Sequence, residues 1–270
     1  MNCHDWIQEG RRRLEAAGIE EALLDAQLLV AHSAGQDRSW VLAHPEAGIT
    51  DTIDLLISRR ERREPLSYIL GWREFFGRKF FVEPGVLIPR QDSETLVEVA
   101  LDGLGGKVLD VGTGTGCLAV TIKLERPNWM VAACDVSTAS VRLARKNARN
   151  QGVNVLVTRS DLFEGFGDTK FGLIVCNPPY VKCGATLQPE IADWEPPEAL
   201  FAGPDGLDIY CRISHEAKGY LMPWGRLVLE IGDGMAPSVT DLFQTSGWEV
   251  LSTHQDLTGT DRALTLRPVP

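Results

Sequence analysis

Asn177-Pro178-Pro179-Tyr180 stands directly after the apolar run Phe171-Gly172-Leu173-Ile174-Val175-Cys176, and its groups suit one kind of chemistry. The Asn177 side-chain carbonyl and the Pro178 main-chain carbonyl can both accept hydrogen bonds from one planar –NH2 group, while the Tyr180 ring can stack on its π-system. Such a clamp fits amides and exocyclic amines. A strand running into two prolines must stop, because both lack the N–H a ladder needs and both fix φ. Ligands of parallel sheets bind at the carboxyl ends of the strands, so a polar Asn at that edge is placed for chemistry. An ordinary strand-ending turn is the other reading, since Asn and Pro dominate turns for local reasons.

A second constellation precedes it. Lys107-Val108-Leu109-Asp110-Val111 leads into Gly112-Thr113-Gly114-Thr115-Gly116 and then Cys117 to Ile122, a strand, glycine turn and helix. The glycines let backbone approach a ligand at a helix N-terminus. Their GxGxG spacing differs from the GxGxxG dinucleotide fingerprint, which takes weight from a nicotinamide-binding reading. Nineteen positions after Gly116, at the end of the strand-like run Trp129 to Cys134, stands Asp135. It is placed to accept hydrogen bonds from ribose hydroxyls, or to cap the following helix. Asp161-Leu162, after a third strand over Val153 to Thr158, would suit an adenine, Asp161 taking the exocyclic amine and Leu162 the ring face; a cap or turn role for Asp161 is an equal alternative. Arg90 and Glu94 are candidates for lining a pocket, and Asp92 or Ser93, between them, for capping a helix.

These residues need elements to hold them. Apolar periodicity over Asp5 to about Arg63, with Trp6, Ile7 and Leu14, then Leu23, Leu24, Leu28 and Leu29, then Ile53, Leu56 and Ile57, predicts a bundle of three to five helices over residues 1–70. Two short β-like runs separated at Glu83-Pro84-Gly85 predict a hairpin linker within residues 71–90. Over residues 91–270 strands alternate with helices and end in a hairpin turning at Asp256 to Arg262, which implies a mostly parallel sheet with one antiparallel strand. The Pro-rich stretch between Tyr180 and Leu200 is too long for a plain connection and is a candidate lid or substrate-binding loop.

Composition narrows the partners. Among 270 residues, 27 Lys and Arg face 37 Asp and Glu, a formal charge of −10, and such a field repels nucleic acid and anionic membranes. The basic runs Arg11-Arg12-Arg13 and Arg59-Arg60-Glu61-Arg62-Arg63 read as solvated helix faces rather than binding patches. Cys3, Cys117, Cys134, Cys176, Cys183 and Cys211 show no CxxC pair, and the five histidines no HxxH or HxxxH pair, so reduced thiols and no metal site are expected. The start Met-Asn-Cys-His-Asp-Trp lacks the pattern of a secretory signal and no run has the length of a membrane span, so a cytoplasmic location is expected.

Asp110 to Gly116, Asp135, Asp161-Leu162 and Asn177-Pro178-Pro179-Tyr180, in this order, resemble a class I S-adenosylmethionine-dependent methyltransferase of the branch that modifies amino and amide groups. With Glu64-Pro65-Leu66-Ser67-Tyr68-Ile69, Leu87-Ile88-Pro89-Arg90, Trp194-Glu195-Pro196 and Gly203-Pro204-Asp205-Gly206-Leu207, nearly the whole chain is similar to the HemK/PrmC protein-glutamine methyltransferases. The resemblance implies an α/β, Rossmann-like sheet of seven strands behind a helical N-terminal domain that helps hold the substrate. It implies S-adenosyl-L-methionine as methyl donor, with S-adenosyl-L-homocysteine as product, and class I peptide-chain release factors as partners, methylated on the glutamine of a Gly-Gly-Gln loop. Gly112, Thr113, Gly114, Thr115 and Gly116 would wrap the methionine part, Asp135 hold the ribose, Asp161-Leu162 the adenine, and Asn177 to Tyr180 the substrate amide. Gln91 stands where the family often has proline and Leu162 where an aromatic is common, which bears on cofactor affinity. A monomer without direct nucleic-acid or membrane contact is expected. The alternatives are glutamine methylation of a ribosomal protein, adenine-N6 methylation of DNA, and a non-catalytic cofactor-binding interaction protein.

Overall fold

The computed structural model describes residues 1–103 and 105–269. They divide into two compact units, one of Met1–Trp72 with Leu187–Trp194 and one of Arg73–Thr186 with Glu195–Pro270.

The first unit is built from helices Cys3–Ala16, Ala22–Ala34, Arg38–Ala43, Thr52–Glu61 and Leu66–Leu70. Asn2 caps the first of them, its side chain accepting the Asp5 N–H at 2.8 Å, and Gly35 ends the second in the left-handed conformation. Trp6, Ile7, Leu14, Leu29, Ile53 and Ile57 form the core as their periodicity predicts. The second helix differs: Leu23 is exposed, and Ala22, Ala26, Leu29 and Val30 face inward. Small residues win that stripe because the helices approach closely; a Cβ on Gly10 would lie 3.1 Å from that of Ala26. The second basic run also departs from a solvated face. Arg60 is buried, its Nε donating to Asp25 at 2.7 Å and its Nη1 to Glu190 at 3.1 Å, while Arg63 reaches the same Glu190 at 2.8 Å.

The second unit opens with a hairpin, β1 (Trp72–Phe75, whose first residue falls in the other unit) and β2 (Arg78–Phe81). Its turn is Phe76-Gly77, not the expected Glu83-Pro84-Gly85. Both turn residues have positive φ, 52° and 68°, the geometry a tight two-residue hairpin requires, and Glu94 accepts the Phe76 N–H at 2.8 Å. An amide with no sequence signature braces β2 from the other side: Asn147 exchanges two hydrogen bonds with Phe81.

The main sheet contains β3 (Lys107–Val111), β4 (Met130–Asp135), β5 (Leu156–Arg159), β6 (Phe171–Cys176), β7 (Leu221–Glu230), β8 (Trp248–Gln255) and β9 (Asp261–Pro268). Their order is β5-β4-β3-β6-β7-β9-β8, and only β9 runs antiparallel, between β7 and β8. This is the seven-stranded, mostly parallel, Rossmann-like sheet expected. β5 is shorter than the expected Val153 to Thr158. Side chains of β3 and β6 alternate between two apolar layers. Val108, Leu173 and Val175 meet the helices Glu94–Leu101, Cys117–Glu125 and Thr138–Asn150, and Leu109, Ile174 and Cys176 meet Asp208–Glu216 and Ala236–Thr245. Strands covered on both faces read as continuous apolar runs, as Leu173 to Cys176 does. Among the described residues no helix is long and apolar enough to cross a membrane.

Candidate active site

The strand order reverses between the parallel neighbours β3 and β6: β4 and β5 lie on one side of β3, β6 and β7 on the other. A crevice outside the carboxyl ends of the strands forms at such a switch point. Register fixes what stands there. Val111 pairs with Cys134 and with Cys176, so Gly112, Asp135 and Asn177 emerge side by side at one edge. Asp135 in turn pairs with Arg159, which brings Asp161 to the same edge.

The glycine turn is held from several directions. Gly112, Gly114 and Gly116 all have positive φ, and a Cβ on Gly116 would lie 3.0 Å from both Cα and Cβ of Ala144. Asp110 is fully buried, and its Oδ2 accepts the Thr113 hydroxyl at 2.6 Å and the Ala119 N–H at 3.2 Å. Burial pushes its carboxyl up to about 7 against the pull of those two donors. Its Oδ1 is buried without a hydrogen-bond partner among the described residues. Thr113 donates its N–H to the Cys134 carbonyl, and Asn147 reaches the Thr115 carbonyl at 2.8 Å.

Asp135 accepts the Gly114 N–H at 2.9 Å and the Ser137 N–H at 2.8 Å. It does not cap the next helix; Ser137 does, accepting from the Ser140 N–H. Burial raises the Asp135 carboxyl despite these bonds. Asp161 is partly exposed and pairs with Arg212 at 3.0 Å. Leu162 adopts φ 42°, the left-handed region that a branched residue seldom enters, and its carbonyl accepts from the Ser160 hydroxyl and the Cys134 thiol.

Asn177 lies across from the glycine turn: a Cβ on Gly112 would be 3.9 Å from the Asn177 carbonyl oxygen. The Asn177 Nδ2 donates to the Ser93 hydroxyl at 3.0 Å. Ser93 therefore spends its side chain on Asn177 and not on the cap expected of it. Beyond the prolines the chain stays extended, Val181 pairing with Leu200 and Ala202. The Tyr180 ring sits against Gly232 and the Tyr180 carbonyl against Gly206, where added Cβ atoms would come within 2.9 and 2.3 Å. Its hydroxyl donates to Glu230 at 3.3 Å.

Arg90 donates to Glu195 at 2.5 Å, and the other oxygen of that buried carboxylate accepts the Ile88 N–H. Glu94 is engaged with the hairpin turn. The switch point thus gathers Asp110, the glycine turn, Asp135 and Asn177, while Arg90 and Glu94 brace the segments that lead to it. Sequence reading passes over Glu230, Arg262 and Arg212. Glu230 carries a signal, an acid closing the apolar run Leu227-Val228-Leu229; the bonds of Arg212 to Asp161 and of Arg262 to Asp92 depend on tertiary proximity, although each arginine also has a sequence-local partner, Glu216 and Asp256.

Comparison with known proteins gives these features a context. The family model of the methyltransferase small domain matches residues 89–193, and that of the PrmC N-terminal domain matches residues 5–71. The release factor glutamine methyltransferase of Geobacter sulfurreducens is 39% identical over 96% of this chain and 93% of its own. That of Cereibacter sphaeroides is 39% identical over 99% of both. Among solved structures, a methyltransferase from Pyrococcus furiosus has a TM-score of 0.55 at 20% identity, covering 71% of this chain and 88% of its own, a likeness of fold.

Proposed function

The chain belongs to the release factor glutamine methyltransferase family, and from that premise we propose that it transfers a methyl group from S-adenosyl-L-methionine to the side-chain amide nitrogen of the glutamine in the Gly-Gly-Gln loop of class I peptide-chain release factors. The observation that carries the reading is the adjacency of Gly112 and Asn177 at the switch point, which sets a close-approach turn beside an amide acceptor pair.

The residues fit the donor. A turn with three left-handed glycines leaves backbone bare, the buried Asp110 Oδ1, without a partner among the described residues, suits an ammonium, and the Asp135 carboxylate, which takes one backbone N–H on each oxygen and faces the Ser140 hydroxyl, keeps acceptor capacity for a ribose hydroxyl. Asp161 and Leu162 are assigned to the adenine, and Arg90 and Glu94 support the cofactor side through Glu195 and the hairpin. When bound, S-adenosyl-L-methionine supplies an electrophilic sulfonium methyl.

This chain's task is to orient the substrate and make an amide nitrogen electron-rich. The Asn177 Oδ1 and the Pro178 carbonyl accept the two N–H bonds of the glutamine amide, which draws electron density toward nitrogen and weakens its conjugation with the carbonyl. That interaction strengthens as positive charge develops on nitrogen, so it favours the transition state over the ground state. Pro179 stiffens the turn and the held Tyr180 ring walls the clamp. The methylated amide loses its extra proton readily, so no strong base is needed.

Residues 1–70 serve as the substrate-recognition domain, 71–90 as the linker and 91–270 as the transferase domain of a cytoplasmic monomer. The net charge of −10 favours a protein substrate over DNA. Incubation with labelled S-adenosyl-L-methionine and, separately, release factor, ribosomal proteins and duplex DNA tests the reading. Label on the Gly-Gly-Gln glutamine alone supports it; label on DNA or ribosomal protein with none on release factor overturns it.

A further inference from the structure

Glu230 closes β7 inside the second unit, almost fully buried, and touches the Tyr180 end of the Asn177-to-Tyr180 segment directly while facing Ser93, the partner of Asn177, at the other. The Tyr180 hydroxyl donates to its Oε1 at 3.3 Å. The Ser93 hydroxyl is near enough to favour its ionised form, and Oε2 is buried with no hydrogen-bond partner among the described residues. Ser93 is also the residue that accepts from the Asn177 Nδ2. An asparagine amide has nearly the same shape after a half turn about its last torsion, so packing alone does not fix which end is which. The clamp depends on that choice: with NH2 turned toward the substrate, donor would meet donor.

We propose that Ser93 and Glu230 are positioning residues that fix the orientation of the Asn177 amide, keeping its NH2 engaged and its carbonyl oxygen available to the substrate. An ionised carboxylate only accepts hydrogen bonds. Between Ser93 and an ionised Glu230 only the Ser93 O–H can donate, which leaves the Ser93 oxygen to accept from Asn177. A protonated Glu230 can donate to Ser93, and the direction of the relay is lost. Burial pushes Glu230 up to about 7, with Ser93, Arg262 and Tyr180 favouring ionisation and Asp92 opposing it; Tyr210 and Cys176 also face it, and Asp256 sits behind Arg262. The relay is therefore half set near pH 7, completed as pH rises above it and lost toward acid.

The inference rests on the proposed amide methylation, and its test separates the two. Ser93→Ala is expected to lower kcat on release factor about tenfold, with KM and the affinity for S-adenosyl-L-homocysteine held within about twofold, and Ser93→Thr, which restores the hydroxyl, to recover most of the loss. Glu230→Gln is expected to lower kcat similarly and to flatten the rise of kcat between about pH 6 and 8. Parent-like kcat in Ser93→Ala, equal loss in Ser93→Thr, or a loss confined to KM overturns the inference. If the parent does not label release factor, the functional reading falls, and proton exchange decides the relay alone. The Asn177 side-chain amide should exchange slowly in the parent and markedly faster in Ser93→Ala; equal rates overturn the inference.

Discussion

Asp135 accepts the backbone N–H of Gly114 at 2.9 Å through one carboxylate oxygen and that of Ser137 at 2.8 Å through the other. One side chain thus ties the glycine turn after β3 to the start of the helix after β4. Asparagine cannot replace it, since the amide NH2 would face one of the two donors. Asp135→Asn and Asp135→Ala should each weaken S-adenosyl-L-methionine binding by about tenfold or more, from the lost ribose acceptor and the loosened turn. Titration calorimetry reads this directly, and unchanged affinity in both variants would remove Asp135 from the cofactor site.

Asn177 makes the opposite prediction. Its side chain bonds Ser93 and, on the proposed function, accepts from the substrate amide, so Asn177→Ala should bind S-adenosyl-L-methionine within a few-fold of the parent while transfer falls by roughly a hundredfold. Single-turnover rates at saturating methyl donor isolate the effect. Near-parent turnover would sink the clamp.

Gly116 carries a steric test. Its φ of 83° and the 3.0 Å approach of an added Cβ to the Ala144 backbone leave a substituent two penalties, left-handed strain and overlap with a rigid helix. Gly116→Ala should cost about 2 to 4 kcal/mol of stability, measured by urea unfolding. Gly152, with similar φ and open space around its Cβ, should lose about 1 kcal/mol on the same change.

Much of this architecture is legible in the sequence because it is local. The run from Phe171 to Cys176 stops at two prolines, and the GxGxG turn follows a strand; spacing alone lines up Gly112, Asp135 and Asn177 once the sheet is parallel. What escapes is set by tertiary proximity. Nothing near Ser93 in the chain says that its hydroxyl belongs to Asn177, 84 positions away. Composition favours a turn at Glu83-Pro84-Gly85, whereas the hairpin turns at Phe76-Gly77, where the Glu94 carboxylate accepts the Phe76 N–H. The buried Arg60 hides within a basic run because its partners, Asp25 and Glu190, lie 35 and 130 positions away.

That arginine supplies a prediction for the helical unit. Arg60 and Asp25 have side-chain exposures of 9% and 7%, and burial already raises the Asp25 carboxyl. Removing the guanidinium strands a buried charge, so Arg60→Met should destabilise the protein by about 3 to 5 kcal/mol near neutral pH. The deficit should shrink in acid, where Asp25 can take up a proton. Denaturant midpoints at pH 5 and pH 7.5 check both parts; equal loss at the two values would mean that Arg60 contributes packing rather than charge.

Glu230 ties stability to pH in the opposite sense from most carboxylates. Its folded value, about 7, lies above the ordinary 4.5 because burial disfavours the charged form. The native state therefore binds more protons than the unfolded chain between those values, and stability falls as pH rises through that window. The shift corresponds to about 3 kcal/mol. Asp110, also near 7 and raised by burial from 3.8, adds to the same slope. Glu230→Gln cannot ionise, so its stability should decline less than the parent's from pH 5 to pH 8, with Asp110 supplying the decline that remains. Urea unfolding across that range measures the two slopes; a parallel pair would show that Glu230 is ionised throughout and that its charge is fully compensated by Arg262, Ser93 and Tyr180.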